Sequence, residues 1–179
     1  KAIASHTGSL AGSYEIYQAA FKQVGVIAVD TIEELYDICK GLALLNKPKG
    51  NRVLIMTSSG GCGIISADLC QYYGMNVVNL KGEVIEKLRE KLPSHCIISN
   101  PLDLTGDADA ERYKKALEEV VRDENIDIII SIFGDPISEA GKIIEEYWNK
   151  YDKVIIPVYL GGGEIEKEEV KYMHQRSIP

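Results

Sequence analysis

No apolar run in this chain approaches the ~20 residues that a membrane span requires, and no charged stretch leading into an apolar core opens it as a secretory leader would. A basic surplus is also lacking: 20 Lys+Arg face 27 Asp+Glu, a formal net charge of −7. The one basic cluster is the short stretch Lys47-Pro48-Lys49. Neutralising nucleic-acid phosphates needs a Lys/Arg-rich face, so neither nucleic acid nor membrane is expected as a partner. Cysteine is sparse and unpatterned. Cys39, Cys62, Cys70 and Cys96 form no CxxC pair, which excludes a zinc knuckle and a small disulfide scaffold and predicts buried, reduced thiols, no metal and a cytoplasmic setting.

What is present is an ordinary globular composition, 45% hydrophobic and 26% charged over 179 residues, enough for one domain and a remainder. The chain opens on Lys1 rather than Met and stops at Pro179 where a new strand would start, so the expectation is a piece of something longer.

Helical periodicity alternates with short runs rich in β-branched residues, the pattern of βα units around a parallel sheet. Tyr17, Ala20, Phe21 and Val24 share one face of a first helix over 13–24, with Gly25 placed as its left-handed cap. Thr31 and Glu34 make a capping box for a second helix that fades by Leu45. The turn-rich stretch Asn46-Lys47-Pro48-Lys49-Gly50 then reads as a linker. Beyond it, strands are expected over 53–56, 75–80, 96–99, 126–133 and 154–159, with helices from near Cys62 to Gly74 and over 83–92, 110–122, 140–147 and 164–174. Five strands with intervening helices predict a flavodoxin-like, three-layer α/β domain over 51–179 with helices on both faces of its sheet. Ligands in such sheets sit outside the carboxyl ends of the strands. Loops 58–63, 100–106 and 134–136 converge there, with 161–163 as a fourth.

The loop Ser58-Ser59-Gly60-Gly61-Cys62-Gly63 joins a buried strand to a helix start, where glycines let backbone N–H groups approach an anion at the positive end of the helix dipole. It is not a Walker A loop, having no Gly-Lys-Ser/Thr, and it lacks the dinucleotide spacing; a plain tight turn is the competing reading. Near the start, Ala4-Ser5-His6-Thr7-Gly8-Ser9 holds one imidazole among small residues. Neutral imidazole is nucleophilic near pH 7 and its phosphoramidate is reactive, so such a histidine suits phosphoryl carriage between two sites; an exposed loop histidine is the bland alternative. His95 and His174 carry no motif and read as surface or strand-end residues.

The string SHTGSLAGS with the following helix closely resembles the phosphohistidine segment of ADP-forming acetyl-CoA synthetases, relatives of succinyl-CoA synthetase. NRVLIMTSSGGCG resembles the opening of that family's second flavodoxin-like domain on its glycine-rich loop, and NPLDLTGDA its Asn-Pro-x-Asp stretch. The resemblance implies that residues 1–45 are the C-terminal part of an upstream succinyl-CoA synthetase-like domain bearing the phosphohistidine loop, 46–50 a linker, and 51–179 the second ligase domain.

It further implies a relay in which acyl-CoA and phosphate give acyl phosphate and CoA, the phosphoryl group passes to His6, and ADP takes it to form ATP. Ser59, Gly60, Gly61, Cys62 and Gly63 would shape the phosphate cradle on the second of two helix N-termini facing the phosphohistidine. The family commonly has proline where Cys62 stands, and a thiol role for Cys62 stays open. Asn100 and Asp103 are possible supporting residues, with Asx-turn hydrogen bonding as the alternative. No covalently bound cofactor is implied. The substrates would be CoA, phosphate and ADP/ATP, with Mg on the nucleotide. The partners would be an upstream CoA-binding domain and an ATP-grasp subunit or domain in an oligomer, the fragment being inactive alone and its apolar helix faces needing cover. Two other readings stand beside this one: an acyl-CoA-binding regulatory module of an acyltransferase-fused relative, and a stand-alone flavodoxin-like interaction domain.

Overall fold

The computed structural model describes residues 13–148, 150–161 and 163–179. The chain divides into two compact units, Lys1–Gly41 and Leu42–Pro179. In the first, α1 (Tyr14–Val24) stops at Gly25, whose φ of 73° is the left-handed cap, and the Val26 N–H closes on the Phe21 carbonyl at 2.9 Å. Its stripe of Tyr17, Phe21 and Val24 lies exposed, and α1 buries no residue. Helix α2 (Ile32–Leu44) opens as a capping box in which Thr31 Oγ1 accepts from the Glu34 N–H at 3.1 Å. The return bond differs from the expected one: the Glu34 carboxylate takes the N–H of Asp30, at 2.8 Å, one residue earlier than the box prescribes. The last turn of α2 belongs to the second unit.

That unit holds β1 (Arg52–Thr57), α3 (Gly60–Tyr72), β2 (Asn76–Val77), α4 (Gly82–Lys91), β3 (Leu102–Asp103), α5 (Ala110–Val120), β4 (Ile128–Phe133), α6 (Ala140–Tyr147), β5 (Val154–Tyr159) and α7 (Glu164–His174). All five strands are parallel. Their order is β2-β1-β4-β5, with β3 also on β1. Strand β1 is apolar because both its faces are covered: Val53, Leu54, Ile55 and Met56 are all fully buried.

The third strand corrects the sequence reading. Instead of 96–99 the ladder takes Leu102 and Asp103, which pair with Met56 and Thr57, while Ile97 turns back to meet Asp103 antiparallel. The second strand likewise shrinks from 75–80 to two residues, pairing with Arg52 and Val53. Strands β2 and β3 thus share one edge of β1 and leave a gap between them, which the Asn100 side chain fills. Its Oδ1 accepts from the Ile55 N–H at 3.0 Å, and its Nδ2 donates to the carbonyls of Val53 at 2.8 Å and Val78 at 2.7 Å. A side-chain amide has the donor and acceptor of a peptide, so Asn100 serves as one residue of missing strand.

Helices α4 to α7 pack their apolar stripes on one face of the sheet, with Leu88, Tyr113, Leu117, Ile144 and Met173 in the larger core. On the other face α3 supplies Cys70 and the half-buried Cys62 and Ala67 to a smaller cluster around Val53, Ile55, Ile128 and Ile132. Cys70 and Cys96 are buried as the composition predicts, but Cys39 is exposed on α2; all four thiols are free.

At the amino ends of β1 and β4, Asp127 takes three bonds from Arg52: from its backbone N at 3.1 Å, Nε at 2.8 Å and Nη2 at 2.7 Å. The Arg52 guanidinium holds the Asp127 carboxyl down at about 2. A depressed carboxylate stabilises the fold above its unfolded value and loses that contribution as pH falls from about 4 towards 2. Asp127→Asn should therefore cost about 1–2 kcal/mol at pH 7, trimmed by the partial exposure of Arg52. Urea unfolding at stepped pH should show the gap to wild type closing below about pH 3.

Candidate functional site

In the sheet order β2-β1-β4-β5 the chain moves from β1 to one side and returns through β4 to the other, so the crevice at their carboxyl ends is the topological switch point. The turn after β1 is held by Thr57. Its Oγ1 accepts from the Ser59 N–H at 2.9 Å and donates to the Ser59 carbonyl at 3.0 Å. Helix α3 then starts at Gly60, two residues earlier than expected, with Ser59 as an extended N-cap whose hydroxyl makes no capping bond. The first bond within the helix runs from the Gly63 N–H to the Ser59 carbonyl at 3.0 Å. Three amides, those of Gly60, Gly61 and Cys62, therefore have no acceptor inside the helix. No acidic side chain of α3 itself lies in that first turn.

The other loops close around this turn. The Gly134 N–H, just past β4, donates to Ser58 Oγ at 2.9 Å. A Cβ on Gly134 would stand 2.7 Å from the Ser59 Cβ and 3.2 Å from its backbone N, so only glycine allows this approach. Gly106 brings the third loop in, its Cβ position lying 3.8 Å from Asp135 Oδ2 and 4.0 Å from the Ser58 carbonyl. The turn at 161–163 follows β5 along the same sheet edge, with Gly162 outside the described residues.

Asn100 and Asp103, close in sequence, do different things. Asn100 is spent on the backbone of β1 and of Val78, just past β2. The Asp103 carboxylate sits at the start of α3: Oδ1 accepts from the Thr105 N–H at 2.8 Å in an Asx turn, and Oδ2 would lie 2.7 Å from a Cβ on Gly60. Thr105 takes a φ of 68°, costly for a β-branched residue. Arg112 of α5 holds it there, donating to the Leu104 carbonyl at 2.8 Å, to Thr105 Oγ1 at 3.1 Å and to both oxygens of Asp107. Arg112 accordingly keeps the Asp107 carboxyl well below the usual range. His95 lies at the outside of this network, 3.3 Å from Asp107.

Sequence reading placed Ser58 in a loop at this edge without a role for its hydroxyl, and missed Arg112 and Tyr113 as parts of the edge. Tyr113 is buried, stacks obliquely on Phe133 with ring centroids 4.6 Å apart, and donates its phenol to the Ile132 carbonyl. Burial pushes that phenol up. The helical period puts Tyr113 on one face with Ala116, Leu117 and Val120, but no spacing rule shows a hydroxyl reaching the end of a strand 19 residues on. Among the described residues no group of three or more His, Cys, Asp or Glu side chains is placed to hold a metal ion, and no helix is long and apolar enough to cross a membrane. His6 lies outside the described residues.

Comparison with known proteins places this edge in context. Residues 1–42 match the succinyl-CoA ligase-like flavodoxin domain, and residues 53–179 match the Ligase-CoA domain. The chain is 39% identical over its whole length to an ADP-forming acetate–CoA ligase I of Archaeoglobus fulgidus, of which it spans 25%. It is 33% identical over 90% of its length to an ADP-forming 4-hydroxybutyrate–CoA ligase of Nitrosopumilus maritimus, spanning 24% of that protein. Among solved structures it superposes with a TM-score of 0.87 and 28% identity on acetyl-coenzyme A synthetase 1 of Ca. Korarchaeum cryptofilum, determined with phosphate and ADP, covering 99% of this chain and 39% of that one. The chain thus spans well under half of each of these relatives. With the Ligase-CoA match extending over most of its length, the chain belongs to the CoA-ligase family of ADP-forming acetyl-CoA synthetases, related to succinyl-CoA ligase.

Proposed function

We propose that this chain is the phosphoryl-transfer portion of an ADP-forming acyl-CoA synthetase, interconverting acyl-CoA, ADP and phosphate with acid, CoA and ATP. His6 is the phosphoryl acceptor. Residues 1–45 close an upstream CoA-ligase domain, 46–50 link it onward, and 51–179 form the second ligase domain. The observation that carries this reading is the open start of α3, where the Gly60, Gly61 and Cys62 amides point outward from a positive helix end at the sheet's switch point. A helix terminus contributes roughly 0.3–1 kcal/mol to an anion, up to ~2 when partly buried. That is enough to help hold a phosphoryl group in a chain of net charge −7 without a lysine.

Ser59 and Gly63 shape the turn and Gly60, Gly61 and Cys62 donate. CoA and the Mg-nucleotide are held by an upstream CoA-binding domain and an ATP-grasp subunit or domain of the oligomer, so this chain alone is inactive. The acyl group is not set by residues of this chain; relatives named for acetate and for 4-hydroxybutyrate match it comparably. The test is to incubate the full-length protein with ATP and map the phosphate by mass spectrometry. An acid-labile, base-stable phosphate on His6 is expected; a phosphate on any other residue, or none, refutes the reading.

A further inference from the structure

We draw no further inference here: the strongest candidate, the outer face of α3, where Ile64, Ile65, Leu69 and Tyr72 stand exposed around the helix's single charged residue, Asp68, is an unpartnered apolar surface, and nothing in the structure shows what covers it.

Discussion

Replacing Asn100 by leucine is expected to lower the unfolding free energy of the second unit by about 4 kcal/mol, against a total of roughly 5–15 kcal/mol for a domain of this kind. The argument is one of unmade bonds. The Asn100 amide serves the Ile55 N–H and the carbonyls of Val53 and Val78, and of these the Ile55 N–H and the Val78 carbonyl lie where β2 has ended and β3 has not begun. Leucine fills the space and strands the Ile55 N–H and the Val78 carbonyl, while the Val53 carbonyl keeps the Val78 N–H at 3.2 Å, and each stranded buried group costs about 1–3 kcal/mol. Val53 and Ile55 are fully buried, so their backbone has little recourse to water. Asn100→Asp separates the parts. It keeps the acceptor for Ile55, but at neutral pH it sets a carboxylate against two carbonyls. Its folded pKa would be raised, so its deficit should be largest above the folded value and shrink as pH falls through it towards about 4. Urea midpoints by far-UV circular dichroism measure both variants, and a loss under about 1 kcal/mol for Asn100→Leu would show that water or a shifted strand takes over the amide's role.

That same residue shows where sequence reading stops. The helices α1, α6 and α7 and the strands β1, β4 and β5 were legible to within two residues, because each writes its burial as a local period: Ala140, Ile143, Ile144 and Tyr147 can face one way only on a helix, and an apolar run such as Val154-Ile155-Ile156 suits a central strand. The β3 segment was not legible. Cys96-Ile97-Ile98 has the composition of a strand, but the strand position goes to Leu102-Asp103 because Asn100 can complete the ladder through its side chain, and no hydrophobic period reports an amide acting as backbone. The start of α3 was misplaced for a related reason. Glycine has poor helix propensity, so Gly60 and Gly61 read as loop, yet they are the first helical residues.

At the candidate site the glycine-rich loop and the Asn-Pro-x-Asp stretch were visible as motifs, while the division of labour within them was not. Asn100 and Asp103 stand three apart, and only the register of β3 tells that one supports the sheet and the other reaches the helix start. Arg112 was invisible, since a lone arginine on an amphipathic helix reads as a solvated face. It becomes meaningful only once Thr105 is seen in a conformation that needs holding.

His6→Ala in the full-length protein should abolish the phosphoenzyme and reduce net conversion of acyl-CoA, ADP and phosphate to ATP by at least about 10³-fold, the scale on which a covalent nucleophile's removal is felt. The proposed relay makes a sharper forecast than loss of activity alone. Its first step, phosphate displacing CoA from the acyl group, makes and breaks bonds only at the acyl carbon, and His6 takes no part in it. Release of CoA with formation of hydroxylamine-trappable acyl phosphate should therefore persist in the variant within about tenfold of wild type, while transfer from acyl phosphate to ADP disappears. Glutamine at the same position retains polarity without a nucleophilic ring nitrogen and should behave as alanine does. Loss of both half-reactions in a folded variant would place His6 in substrate binding rather than phosphoryl carriage, and retention of both would leave the segment around His6 without a role in the chemistry. Only the split outcome, with the acyl half kept and the phosphoryl half lost, fits a histidine that does nothing but accept the group and hand it on.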